Sequence, residues 1–123
     1  MRRFRFASFK YAASGIVHVL RTQPNARLHA VFTLAVTTVG LWLELSRIEW
    51  AILVATMAVV WAAEFVNTAI EAAIDLVTEE RRPLAKAAKD AAAGGVLMAA
   101  ILAAIVGLLI LGPPLWARFT GHG

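Results

Sequence analysis

The stretch Glu64-Phe65-Val66-Asn67-Thr68-Ala69-Ile70-Glu71-Ala72-Ala73-Ile74-Asp75 closes the second of three long apolar segments. An α-helix turns about 100° per residue, so with Glu64 at zero, Asn67 falls near 300°, Glu71 near 340°, Asp75 near 20° and Thr68 near 40°. Five polar groups share one narrow face, while Phe65, Val66, Ile70, Ile74 and Leu76 take the rest. Carboxylates in a segment apolar enough for a bilayer are costly and mark a functional site more often than a structural one. The structural alternatives are helix-packing groups and the lining of a pore. The preceding run, Trp50 to Ala63, carries no ionisable group. The polar face is therefore a ladder confined to one end of a span.

Working outward, the composition agrees with a membrane setting. The chain has 123 residues, 60% of them hydrophobic, which gives one domain and an integral membrane protein. It has no cysteine, hence no disulfide frame, thiolate metal site or nucleophilic thiol. The net charge of +4 comes from basic residues that flank apolar segments, a membrane-topology pattern and not a nucleic-acid surface. No cleavable signal peptide is evident, so the mature chain is expected to begin at or near Met1.

Residues 2–22 are expected to form an amphipathic surface helix. Lys10, Ser14, His18 and Arg21 fall within about 60° of Arg3, and Phe9, Ile16 and Leu20 gather away from them, as in helices that lie in the headgroup plane. Pro24 is expected to end it. Transmembrane helices are then expected over 28–45, 48–77 and 86–111. In the first of these, Ala30 to Leu43 has only threonines as polar groups, which can bond back to the helix. Glu44, Ser46, Arg47 and Glu49 read as a short polar turn, and Thr78 to Pro83 as a charged, solvated loop. Pro83 suits the first turn of the third span. Gly112-Pro113-Pro114 is expected to stop that span, and Trp116 to anchor it at the interface.

If hydrocarbon takes about 20 residues of the second span, Glu64 lies in the leaflet, Glu71 at its boundary and Asp75 among headgroups. Ten of the twelve Lys and Arg sit before residue 28 or between 78 and 90, which places both regions on the cytoplasmic side of the membrane. The ladder then opens toward cytoplasmic ATP.

The strings EFVNTAIEAAIDLV (64–77) and PLAKAAKDAAAGGVL (83–97), with SFKYAASGI (8–16) and NARLH (25–29) upstream, resemble the small prokaryotic diacylglycerol kinase family, which includes undecaprenol kinases. The resemblance runs over most of the chain in order. It implies an all-α membrane protein, a surface helix and three transmembrane helices per subunit, assembled as a homotrimer with sites between neighbouring subunits. It also implies ATP with Mg2+ as phosphate donor and a lipid alcohol as acceptor, with Arg27-Leu28-His29 and the start of the third span resembling the undecaprenol branch more than the diacylglycerol branch. By the same resemblance Glu64 is the general base and Asn67 contacts acceptor or phosphate. Glu71 is a magnesium ligand, as hard oxygen donors suit that ion. Lys89, Asp90, Arg27 and Asp75 serve the nucleotide. His29 is read as an interfacial histidine, and His18 and His122 as surface residues. Where relatives commonly place a magnesium-holding glutamate, this chain has Gln23, so a higher magnesium requirement is expected.

Neither a Gly-rich phosphate loop nor a protein-kinase catalytic loop is present. Two readings of other classes stand beside the lipid kinase: an ion-conducting oligomer and a non-catalytic accessory protein. The uncharged run from Trp50 to Ala63 disfavours a conducting pathway.

Overall fold

The computed structural model describes the backbone of residues 2–121 and the side chains of residues 5–121. His122, and the Arg2 and Arg3 side chains that open the basic N-terminal count, lie outside that description. The architecture is all-helical, with no strand among the described residues: α1 (Arg2–Thr22), α2 (Pro24–Leu43), α3 (Arg47–Val77) and α4 (Pro83–Thr120). The last three are long and apolar enough to cross a membrane. α3 and α4 share the most extensive contact, α2 packs on both, and α1 packs on α2.

Pro24 opens α2 instead of only closing α1, so the first span begins four residues before the expected Leu28. Its fixed φ suits a first helical position, and its missing N–H is one that a helix start leaves unbonded anyway. One extended residue, Gln23 (φ −110°, ψ 107°), makes the corner. Arg27 stabilises it from one turn inside α2. Its Nε donates to the Leu20 carbonyl (3.1 Å) and its Nη2 to the Arg21 carbonyl (2.9 Å), two acceptors that the end of α1 would otherwise leave free. Val19 and Ala26, both buried, pack in the same corner.

At the opposite end of α2, Glu44 takes a left-handed conformation (φ 55°) and caps the helix. Ser46 then starts α3 through a reciprocal capping box. The Glu49 N–H donates to Ser46 Oγ (3.2 Å), and the Ser46 N–H donates to Glu49 Oε1 (3.1 Å). The hairpin is tight because Gly40 lets the Trp50 ring lie against the α2 backbone. A Cβ at Gly40 would stand 2.8 Å from Trp50 Cη2.

The expected stop at Pro113-Pro114 does not occur: α4 runs through both prolines to Thr120. Two prolines remove two N–H donors from the ladder, a loss that membrane helices tolerate where neighbours support the segment. Beyond the prolines α4 is tied to α2 by Arg118, whose Nη2 donates to the Trp42 carbonyl (3.0 Å) and whose guanidinium lies 4.8 Å from the Trp42 ring centroid. Gly121, with φ 70°, ends the helix. Trp116 is exposed near that end.

The protein core of a single chain is thin. Leu43, Leu53, Val60 and Val96 are its buried apolar centre, while Val31, Leu34 and Leu109 are exposed on its outer surface. Apolar side chains facing out along three spans suit a hydrocarbon solvent or neighbouring spans.

Candidate active site

The polar face of α3 splits into two tiers. In the deeper tier Glu64 is 1% exposed, and with Leu53 it is one of the two largest fully buried side chains described. Asn67 and Thr68 are buried beside it. Thr68 satisfies itself by donating from Oγ1 to the Glu64 carbonyl (3.0 Å). Glu64 Oε2 and Asn67 Oδ1 are enclosed and have no hydrogen-bond partner. A buried carboxylate without a partner loses several kcal/mol of hydration, so folding alone gives no reason to keep it there.

One side chain approaches. His29 of α2 brings Nε2 to 3.6 Å from Glu64 Oε2. The imidazole meets the Trp61 ring edge-on, with centroids 6.3 Å apart and planes at 68°. Trp61 donates from Nε1 to Thr33 Oγ1 (3.1 Å), and that hydroxyl donates to the His29 carbonyl (2.7 Å). Trp61 also packs on Phe65, one turn below. Below His29 an apolar groove of about 670 Å³ runs between α2, α3 and α4, past Phe32, Trp61, Leu53 and Ile101 to Leu115. Its apolar lining suits an alkyl or isoprenoid chain. The groove's polar end is His29, beside Glu64.

The outer tier is exposed and paired. Lys89 of α4 donates from Nζ to Asp75 Oδ1 of α3 (2.6 Å), tying the two helices on either side of the 78–82 loop. Asp90 is engaged by Lys86 one turn earlier in α4. Glu71, between the tiers, is half-buried and makes no hydrogen bond or ion pair among the described residues.

The structure thus gathers Glu64 and Asn67 in the buried tier and leaves Asp75 with Lys89 as an exposed pair. Arg27 is turned to the end of α1, and Gln23 donates from its amide to Thr22 Oγ1 (3.5 Å). No three metal-ligating side chains converge among the described residues. That donor set does not make a protein cage. It does fit an ion carried in by a nucleotide, since magnesium takes one or two carboxylates and completes its shell with phosphate oxygens and waters.

His29, read from the sequence as an interfacial histidine, is the residue that the fold brings to Glu64. Its signal was a stripe of small and polar residues on α2, Ala26, His29, Thr33, Thr37 and Gly40, at a spacing that faces a neighbouring helix.

A model of the prokaryotic diacylglycerol kinase family matches residues 10–111. An undecaprenol kinase of Bacillus subtilis is 46% identical over 94% of this chain and 93% of its own length. A diacylglycerol kinase of Synechocystis is 46% identical over 88% of this chain and 62% of its own length. The diacylglycerol kinase of Escherichia coli K12 is 31% identical, covering 89% of this chain and 86% of its own.

Proposed function

Because this chain belongs to the prokaryotic diacylglycerol kinase family and is a membrane lipid kinase, we propose that it transfers the γ-phosphate of ATP to the hydroxyl of undecaprenol at the cytoplasmic face of the inner membrane. The observation that carries this reading is Glu64: a fully buried carboxylate, one oxygen without a partner, beside the polar end of an apolar groove. A hydrophobic alcohol with its chain in the groove presents its hydroxyl at that depth.

Glu64 accepts the hydroxyl proton as the hydroxyl oxygen bonds to the γ-phosphorus. The bond from that phosphorus to the β–γ bridging oxygen breaks, and ADP leaves. Phosphoryl transfer depends on positioning and on cations around the phosphates more than on covalent chemistry by the protein. Asn67, whose Oδ1 lacks a partner, orients the acceptor hydroxyl or a phosphate oxygen. Lys89 supplies positive charge to the nucleotide and is held meanwhile by Asp75. Asp90 orders Lys86 beside it. Arg27 fixes the corner between α1 and α2 through the Leu20 and Arg21 carbonyls, and the N–H groups it does not use there are its means of serving a phosphate. Glu71 and the Gln23 amide oxygen are the groups that would hold magnesium, which when bound neutralises charge on the β- and γ-phosphate oxygens.

The basic N-terminal region and the 78–90 loop support the cytoplasmic orientation of the outer tier. A homotrimer fits the outer surface of α4. Gly94 and Gly95 border open space in a single chain, with nothing within 4 Å of an added Cβ, and so leave room for a close neighbouring helix.

Undecaprenol is favoured by the Bacillus relative's near-complete overlap, and diacylglycerol by the Synechocystis relative at the same identity. Transfer from labelled ATP to both lipids in mixed micelles, with wild type and Glu64→Gln side by side, decides between them. Undecaprenol phosphate formed by wild type and absent from the variant supports the proposal. Phosphatidic acid as the main product would replace the acceptor. A folded oligomer inactive toward both lipids would favour the accessory reading.

A further inference from the structure

His29 is given no role by the family resemblance or by the relatives' names, yet it is the only ionisable side chain within ion-pair distance of Glu64 among the described residues. The Thr33 hydroxyl bonds to the His29 backbone carbonyl, the Trp61 indole bonds to that hydroxyl, and the indole and imidazole rings meet in a T-shaped contact, so Trp61 braces the imidazole from α3 on one side. The braced ring aims Nε2 at Glu64 Oε2, the oxygen that is enclosed and has no other partner. At 3.6 Å the two atoms are beyond hydrogen-bond distance. Closing to about 2.9 Å needs a shift of well under 1 Å, and hydrogen bonds in catalytic sites commonly tighten only when substrate is in place.

We propose that His29 is a positioning residue for the base: its Nε2–H donates to Glu64 Oε2 and so presents the carboxylate's other oxygen to the acceptor hydroxyl. This rests on the reading of Glu64 as the base. The chemistry is that of an orienting partner. A carboxylate with two equivalent oxygens and free rotation about its last bond spends most of its time misaligned, and a donor fixed by packing selects one orientation. The imidazole suits the place because the same ring is apolar enough to form the end wall of the groove while offering one donor to Glu64. A lysine or arginine there would bring a permanent charge to the head of an apolar channel and neutralise the base.

The test uses the full-length protein in mixed micelles, with undecaprenol and diacylglycerol as acceptors and His29→Leu, His29→Gln and Glu64→Gln as variants. Leucine fills the groove wall without a donor; glutamine places an amide N–H near the position of Nε2. With His29→Leu, kcat should fall about 10- to 100-fold, the scale for losing an orienting partner, while KM for ATP stays at the wild-type value. His29→Gln should recover most of that loss. A His29→Leu enzyme with wild-type kcat overturns the proposal, as does a glutamine variant no better than the leucine one. A change confined to KM for the lipid would make His29 a groove wall only, which also overturns it. Glu64→Gln separates the two levels of the argument. If that variant stays active, the base assignment itself fails. If it is inactive while His29→Leu is fully active, the positioning role alone fails.

Discussion

Asp75 and Glu64 stand about three turns apart on the same face of α3, and the fold treats them in opposite ways. Asp75 is exposed and has Lys89 on its carboxylate at 2.6 Å. Glu64 is sealed from solvent, and its nearest cationic candidate is a histidine at 3.6 Å. For stability the arrangement is inverted. An exposed ion pair contributes roughly 0–1 kcal/mol, whereas a buried charge needs a partner to offset the loss of several kcal/mol of hydration. The partner is supplied where it matters little and withheld where it matters most. A carboxylate kept buried and partnerless is available to a ligand, and so is the Asn67 carbonyl oxygen beside it.

Replacing a member of each tier should break or sharpen that contrast. The largest effect is expected in the buried tier: Asn67→Ala should lower kcat roughly 100-fold, the scale for removing one preorganised polar group, with an unfolding temperature close to wild type. Steady-state kinetics and thermal unfolding of the same preparation check both halves. In the outer tier, Lys89→Met should raise KM for ATP about tenfold through loss of a phosphate-facing charge. Its stability should change by no more than about 1 kcal/mol, because the pair it breaks is exposed. If unfolding shows a much larger loss, the Asp75–Lys89 bridge is a structural tie between α3 and α4. A smaller effect is expected at the corner between α1 and α2, where Gln23→Glu adds a charged oxygen and should lower the magnesium concentration for half-maximal activity a fewfold. An unchanged titration would remove Gln23 from the ion's surroundings.

Much of this arrangement is written in local sequence, and the parts that are not have physical causes. Hydrophobic runs and the period of Glu64, Asn67, Glu71 and Asp75 are properties of single helices, and they identify three spans and one polar face. Ser46-x-x-Glu49 ahead of an apolar run also encodes its capping box, a signal hidden by reading those charges only as a turn. Pro24 ends α1 as its position suggests, and its fixed φ also makes it the first residue of α2, a second role that reading it only as a stop leaves out. The Pro113-Pro114 pair does mislead, because α4 continues through both, and beyond them Arg118 ties it to Trp42, a contact 76 residues apart in sequence. The partners of the site are equally non-local. Lys89 meets Asp75 across a loop, and His29 meets Glu64 from another helix, so the face of α3 can be read from its own sequence while what stands opposite it cannot.

Thermal unfolding and phosphate transfer measured together on Glu64→Gln test the central claim most directly. Glutamine keeps the shape of the side chain and removes the buried charge. The expected result is transfer to either lipid reduced by at least about 100-fold, the contribution of a general base, with an unfolding temperature equal to or above wild type. An active variant with a lowered unfolding temperature would contradict the account, because Glu64 would then be holding the helices together and not serving the reaction.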